Sequence, residues 1–164
     1  AGDLRWLLGE LSADKRLRIN CGGDDVVCKD GSQWGRDRFA LGGRIAGPFT
    51  GEVAASEARE VYKTQRWFPD DGSWAGYRFP LPPGRYRVAL HFAETWFRRP
   101  GLRRFDVLIQ GKEVLKDFKP ISFGFAIAGR KSCETMVEDG TLAIEFVHGL
   151  DNPVVSAIEI ERVD

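Results

Sequence analysis

The sequence predicts an all-β domain, a β-sandwich or jelly roll with one short helix at its N-terminus. Three observations carry this. Short runs alternate apolar and polar residues with a period of two, as half-buried strands do. Gly and Pro, 19 and 8 in number, punctuate those runs as turns. Only one stretch, close to the N-terminus, has helical spacing. The 164 residues suffice for one domain with a sizeable core.

Asp3 to Leu11 is the helix. Asp3 caps it, and Leu4, Trp6, Leu7, Leu8 and Leu11 form a broad apolar face that Gly9 weakens. The polar break Ser12 to Lys15 divides the chain into a helical linker or tail, 1–15, and a domain, 16–164. Arg16 to Cys21 alternates, with Leu17, Ile19 and Cys21 inward. Asp24 to Gly47 is irregular, and Trp34 and Phe39 are its only large aromatics. A loop of that length is usually functional or held by its own packing. Glu52 to Tyr62 reads as a turn or short helix, followed by a strand through Trp67. Phe68 to Gly72 turns, and Trp74 to Phe79 is a further strand.

Arg85 to Ala93 has the strictest alternation: Tyr86, Val88, Leu90 and Phe92 face one way, Arg87, Ala89 and His91 the other. Phe105, Val107 and Ile109 share a face, and Gln110-Gly111-Lys112 turns the chain back. Ile127 to Val137 reads as one or two short strands. Asp139-Gly140 turns into Thr141 to Val147, where Leu142, Ile144 and Phe146 face inward. His148 to Pro153 is a loop, and Val155 to Arg162 is the last strand.

Lys+Arg and Asp+Glu are both 24, so the formal net charge is zero. A nucleic-acid binder would show a basic excess. Anionic membrane surfaces are disfavoured on the same ground, and the apolar runs are too short to cross a bilayer. The expected partners therefore exclude nucleic acid and direct membrane insertion. No signal peptide is visible, which fits a mature or excised fragment. Cys21, Cys28 and Cys133 are an odd set without a CxxC spacing, against a zinc cluster. Cys21 and Cys28 closing a short loop, and Cys21 and Cys133 as buried strand thiols, both fit the spacing.

Catalysis and metal binding find little footing. Asp24-Asp25 and Asp70-Asp71 are neighbours inside turns, whereas a glycosidase needs carboxylates facing each other from separate elements. His91 and His148 have no nucleophile elbow to serve. Asp24, Asp25, Asp30 and Asp37 lack the regular spacing of a calcium loop. No cofactor, metal or catalytic residue is expected.

Binding has more support. After Phe92 the alternation fails, and Trp96-Phe97 arrive in a polar, turn-forming segment. Adjacent strand residues face opposite sides, so both cannot enter the core. Aromatics also stand at Trp34, Phe39, Trp67-Phe68 and Trp74, and Asp151-Asn152 lies in a loop. Aromatic planes bury the C–H faces of sugars, while carboxylates, amides and arginines such as Arg66 take the hydroxyls.

Five segments resemble the malectin and malectin-like domain family, in family order and across nearly the whole chain after Lys15. They are RINCGG (Arg18 to Gly23), YKTQRW (Tyr62 to Trp67), LPPGRYRVALHFAE (Leu81 to Glu94) preceded by Tyr77 and Phe79, GLRRFDVLIQGKEVLKDF (Gly101 to Phe118), and DGTLAIEF with DNPVVSAIEI (Asp139 to Ile160). The resemblance implies a jelly-roll β-sandwich of two antiparallel sheets. It also implies a non-catalytic, lectin-like module for glucose-containing oligosaccharides. The family's founding animal protein is a lectin of the endoplasmic-reticulum lumen that takes glucose disaccharides such as nigerose and maltose. A secreted, cell-surface or lumenal setting follows from the resemblance alone, as does attachment to other domains of a larger chain.

The family's sugar contacts map onto Trp96 and Phe97, its adjacent aromatics, onto Asp151 before Asn152-Pro153, and onto Trp67 after Thr64-Gln65-Arg66. Trp67 replaces a Tyr, which keeps a stacking plane and loses a hydroxyl. The fourth family aromatic falls near Gly43 to Gly47, where none stands. Phe39, Trp34 and Phe49 are the substitutes at hand, and Arg66 and Asn152 adjoin the mapped positions. Plant relatives that keep the fold without these contacts give the alternative, a protein- or peptide-interaction module.

Overall fold

The period-two runs become strands in a computed structural model that describes residues 1–164. In chain order they are β1 (Arg16–Asn20), β2 (Val26–Val27), β3 (Gln33–Arg36), β4 (Ala40–Leu41), β5 (Arg44–Ala46), β6 (Gln65–Trp67), β7 (Gly76–Pro80), β8 (Gly84–Phe92), β9 (Arg104–Ile109), β10 (Lys112–Phe118), β11 (Gly129–Val137), β12 (Thr141–Leu150), β13 (Val154–Val155) and β14 (Ala157–Arg162). A six-stranded sheet, β11-β8-β14-β1-β3-β2, lies over a five-stranded sheet, β10-β9-β12-β7-β4. The expected sandwich is present, with two refinements. The β1–β3 pair is parallel. A third, three-stranded sheet, β13-β6-β5, closes one end.

Burial follows the alternation. Leu17, Ile19, Tyr86, Val88, Leu90, Phe92, Ile158 and Ile160 come from the larger sheet. Tyr77, Phe79, Phe105, Val107, Ile109, Leu142, Ile144 and Phe146 meet them from the smaller one. The opposite face of β8 was expected outward, yet His91 is buried there. Trp34, Val53, Val61, Tyr62 and Ala93 form a second apolar cluster over that face, as the 48–62 segment folds across it.

The helix, α1, runs Gly2–Asp14, longer than expected. Ala1 rather than Asp3 is its N-cap and makes no side-chain cap bond. Asp3 instead pairs with Arg36 at 2.7 Å. Lys15, at φ 55, ends the helix with its N–H on the Leu11 carbonyl. Leu7 is fully buried in the main core, so the helix packs onto the sandwich. The 24–47 stretch carries four short strands instead of being irregular, β11 is one continuous strand, and the strand to Trp67 begins only at Gln65.

Candidate functional site

The inward phase of β8 continues past its last apolar residue, from Phe92 to Glu94. The inward phase of β9, through Phe105, Val107 and Ile109, begins one step earlier, at Arg103. Phe92 and Phe105 meet across the sandwich with ring centroids 6.0 Å apart. The next inward pair is therefore Glu94 and Arg103, two opposite charges at the end of the core. Arg103 Nε donates to Glu94 Oε1 at 2.8 Å, and the side chains are only 5% and 2% exposed. Glu94 Oε2 also accepts from the backbone N–H groups of Trp96 and Phe97, at 3.2 and 3.3 Å. The carboxylate thus shapes the turn that follows the strand.

That turn leaves Trp96 75% exposed. Phe97 is half-buried, with the Arg103 guanidinium 5.0 Å from its ring centroid. The far side of the guanidinium reaches the loop after β12. Arg103 Nη1 donates to Asp151 Oδ2 at 3.4 Å and to the Asn152 carbonyl. Asp151 adopts φ 56, and its Oδ2 also takes the Asn152 N–H at 2.8 Å. One guanidinium therefore binds the loop of Trp96-Phe97 to the loop of Asp151.

Trp67 is held against the same segment. It sits in β6, opposite Val154 on one side and Arg44 on the other. The Phe68 N–H donates to the Pro153 carbonyl at 3.1 Å. His148 Nε2 donates to the Phe68 carbonyl at 2.6 Å. The Arg44 guanidinium lies 5.6 Å from the Trp67 ring centroid.

The other mapped residues have different surroundings. Trp34 is buried in the second cluster, edge-on to His91 at 5.5 Å. Phe39, at φ 68, packs on Phe79 with centroids 5.5 Å apart. Arg66 is engaged by Asp37 at 2.9 Å and by the Gly42 carbonyl at 3.0 Å. Asn152 presents its carbonyl to Arg103. Phe49 meets Phe125 edge-on at 6.0 Å, and the Arg98 guanidinium stands 4.2 Å over Phe125. Phe49 and Phe125 thus adjoin the Trp96 loop. Arg103, Glu94 and Phe125 are absent from the sequence expectation.

Several acidic groups and both imidazoles are engaged by the fold. Asp71 Oδ1 accepts from the Ser73 N–H at 3.0 Å, and Asp25 Oδ1 from the Arg36 N–H at 2.7 Å. Asp37 takes the Gly22 N–H, Arg66 and the Tyr77 hydroxyl. His91 lies between the Tyr62 hydroxyl, 2.6 Å from Nδ1, and Glu159 Oε1, 2.7 Å from Nε2. Burial, with the Glu159 charge beside it, pushes the Tyr62 hydroxyl up to about 12. All three cysteines are free thiols, and burial in the core pushes the Cys21 thiol well up.

A family model of the malectin domain matches residues 15–158. This chain belongs to the malectin domain family. Malectin-B of Xenopus laevis is 30% identical over 181 residues, covering 94% of this malectin domain and 62% of the frog protein. The chain thus spans somewhat under two thirds of that relative. Among solved structures, a Bacteroides uniformis β-glucuronidase superposes on all of it with a TM-score of 0.80, at 22% identity and over 19% of the enzyme chain. The plant receptor-like kinase FER, solved with the peptide RALF23 and LLG2, superposes on 90% of it with a TM-score of 0.79, at 19% identity and over 48% of that chain. At those identities the two structures share the fold of this malectin domain.

Proposed function

We propose that this chain is a non-catalytic carbohydrate-binding module that takes glucose-containing oligosaccharides at the loop end of its sandwich. In this reading Trp67, Trp96 and Phe97 offer ring planes to the C–H faces of the sugar, and Asp151 accepts from its hydroxyls. The observation that carries the reading is Arg103. A buried guanidinium that binds both loops supplies the rigid scaffold a loop-borne site needs. Membership of the malectin domain family supports the carbohydrate class. The non-catalytic part is supported by Asp25, Asp71, His91 and His148, whose hydrogen bonds go into turns and packing.

A second reading, a protein- or peptide-interaction module, is favoured by one feature. Trp96 stands 75% exposed beside the exposed Arg98 and Arg99, and exposed Trp and Arg are the residue types that anchor protein interfaces. A glycan array separates the two. Signals confined to glucose-terminated oligosaccharides, and lost in Asp151→Ala, are the expected result. A blank array from folded protein would move the assignment to the second reading.

A further inference from the structure

We propose that the free edge of β11 docks a second copy of this chain, antiparallel, with the two-fold axis at Cys133. β11 is the outermost strand of the six-stranded sheet. It pairs with β8 without a bulge, from Gly129 opposite Phe92 to Val137 opposite Gly84. Which of its backbone groups are free follows from the other side of β8. The Ser156 N–H donates to the His91 carbonyl and the Val163 N–H to the Arg85 carbonyl. The backbone of Arg85, Arg87, Ala89 and His91 therefore faces β14, and that of Tyr86, Val88, Leu90 and Phe92 faces β11. Only alternate residues of an antiparallel strand bond to a given neighbour. Thr135, Cys133, Lys131 and Gly129 meet the β8 groups, so Arg130, Ser132, Glu134 and Met136 aim their N–H and C=O groups away from the sheet. Of these, the Met136 carbonyl is met by Gln110 Nε2 at 3.3 Å.

The other sheet edges are blunted, as edges of well-behaved proteins are. β2, β4 and β13 have two residues each and β5 has three. β10 is broken by register shifts and carries the exposed Lys112 and Lys116. β11 is long and regular.

Two features select a second copy as the occupant. The first is length. Ala54 already closes one end of the edge, its N–H on the Ala126 carbonyl and its carbonyl on the Ala128 N–H. With Cys133 opposite the partner's Cys133, Arg130 falls opposite the partner's Met136, and Gly129 opposite the partner's Val137. The incoming strand thus ends where Ala54 begins. The second is charge. Arg130 and Glu138 are exposed and make no ion pair within their own chain. In this register Arg130 lies diagonal to the partner's Glu134 and Glu138, within reach of a long side chain. The two Cys133 residues form a non-hydrogen-bonded pair with Cα atoms about 4.5 Å apart, inside the span that a disulfide bridges.

Sedimentation across a wide concentration range tests this, with the expected result a doubling of mass. Copper–phenanthroline in air takes two electrons and two protons from a facing thiol pair, and the bond should form between the two Cys133 residues. Ser132→Pro removes an N–H that no bond inside the chain uses, so it should abolish the dimer and leave the melting temperature of the dilute, monomeric chain unchanged. Arg130→Glu, an exposed charge reversal, should weaken the dimer about tenfold. A monomer at every concentration overturns the proposal. So does a dimer that Arg130→Glu leaves at full strength, or a cross-link through Cys21 or Cys28.

Discussion

Burying the Glu94 carboxylate beside the Arg103 guanidinium takes two charges out of water, a cost offset only when each donor and acceptor finds a partner. Here Glu94 accepts from Arg103 and from two backbone N–H groups, and Arg103 also reaches Asp151 and the Asn152 carbonyl. Arg103→Ala would strand the carboxylate in the core end and should cost about 3–5 kcal/mol in urea unfolding. Arg103→Lys keeps the charge but loses the fork that spans both loops, so it should also weaken ligand binding. The site aromatics should respond differently from one another. Trp96→Ala, at a largely exposed position, should leave stability within about 0.5 kcal/mol. Trp67 is half-buried and packs against the main core, so Trp67→Ala should cost more than Trp96→Ala in the same assay. Phe105→Ala, in the core itself, should cost about 3–5 kcal/mol. Trp96 and Phe97 were legible in the sequence because alternation fails just before them. Glu94 and Arg103 were not, because charges in line with the inward phase of two apolar runs mean something only once the strands are known to face each other.

At the scale of elements, local pattern was informative where one face of a strand meets the core and uninformative where short strands depend on tertiary partners. β8, β9 and β12 stand out in the sequence for the first reason. β2 to β5 are two to four residues long and pair with distant strands, so the 24–47 stretch reads as irregular. The burial of His91 was hidden for a related reason. The cover over the outer face of β8 comes from Trp34 and from Val53, Val61 and Tyr62, far away in sequence. RINCGG has a physical role at this scale. Gly22 adopts φ +76, and a Cβ there would stand 2.3 Å from the Gln65 carbonyl oxygen. The motif therefore seats the end of β1 against β6, the strand that carries Trp67. Gly22→Ala should cost at least about 1–2 kcal/mol from backbone conformation alone. It should also impair ligand binding through β6, and a melting temperature equal to the parent's would contradict this.

At the scale of the molecule, acidic and basic residues are equal in number, and some of them pair across the larger sheet, Arg16 with Glu161 and Arg18 with Glu159. Burial pushes the Glu159 carboxyl up, but the His91 hydrogen bond and charge, followed by those of Arg18, outweigh it and hold the group at about 2 against its usual 4.5. The unfolded chain thus takes up this proton first. The stabilisation is whole above the usual value and drains away as pH falls toward about 2. Glu159→Gln should flatten the fall in urea midpoint across that acid range, and an unaltered slope would contradict the assignment. The two-sheet architecture was within reach of the sequence, whereas the third sheet, which carries Trp67, was not, because its strands are two or three residues long. The claim on which the rest depends is that Trp67, Trp96, Phe97 and Asp151 act as one cleft. Titrating nigerose and maltose while following tryptophan fluorescence tests it most directly. A saturable change that disappears in Asp151→Ala, a variant without a ring of its own, is the predicted result. An identical titration curve in Asp151→Ala would contradict the cleft.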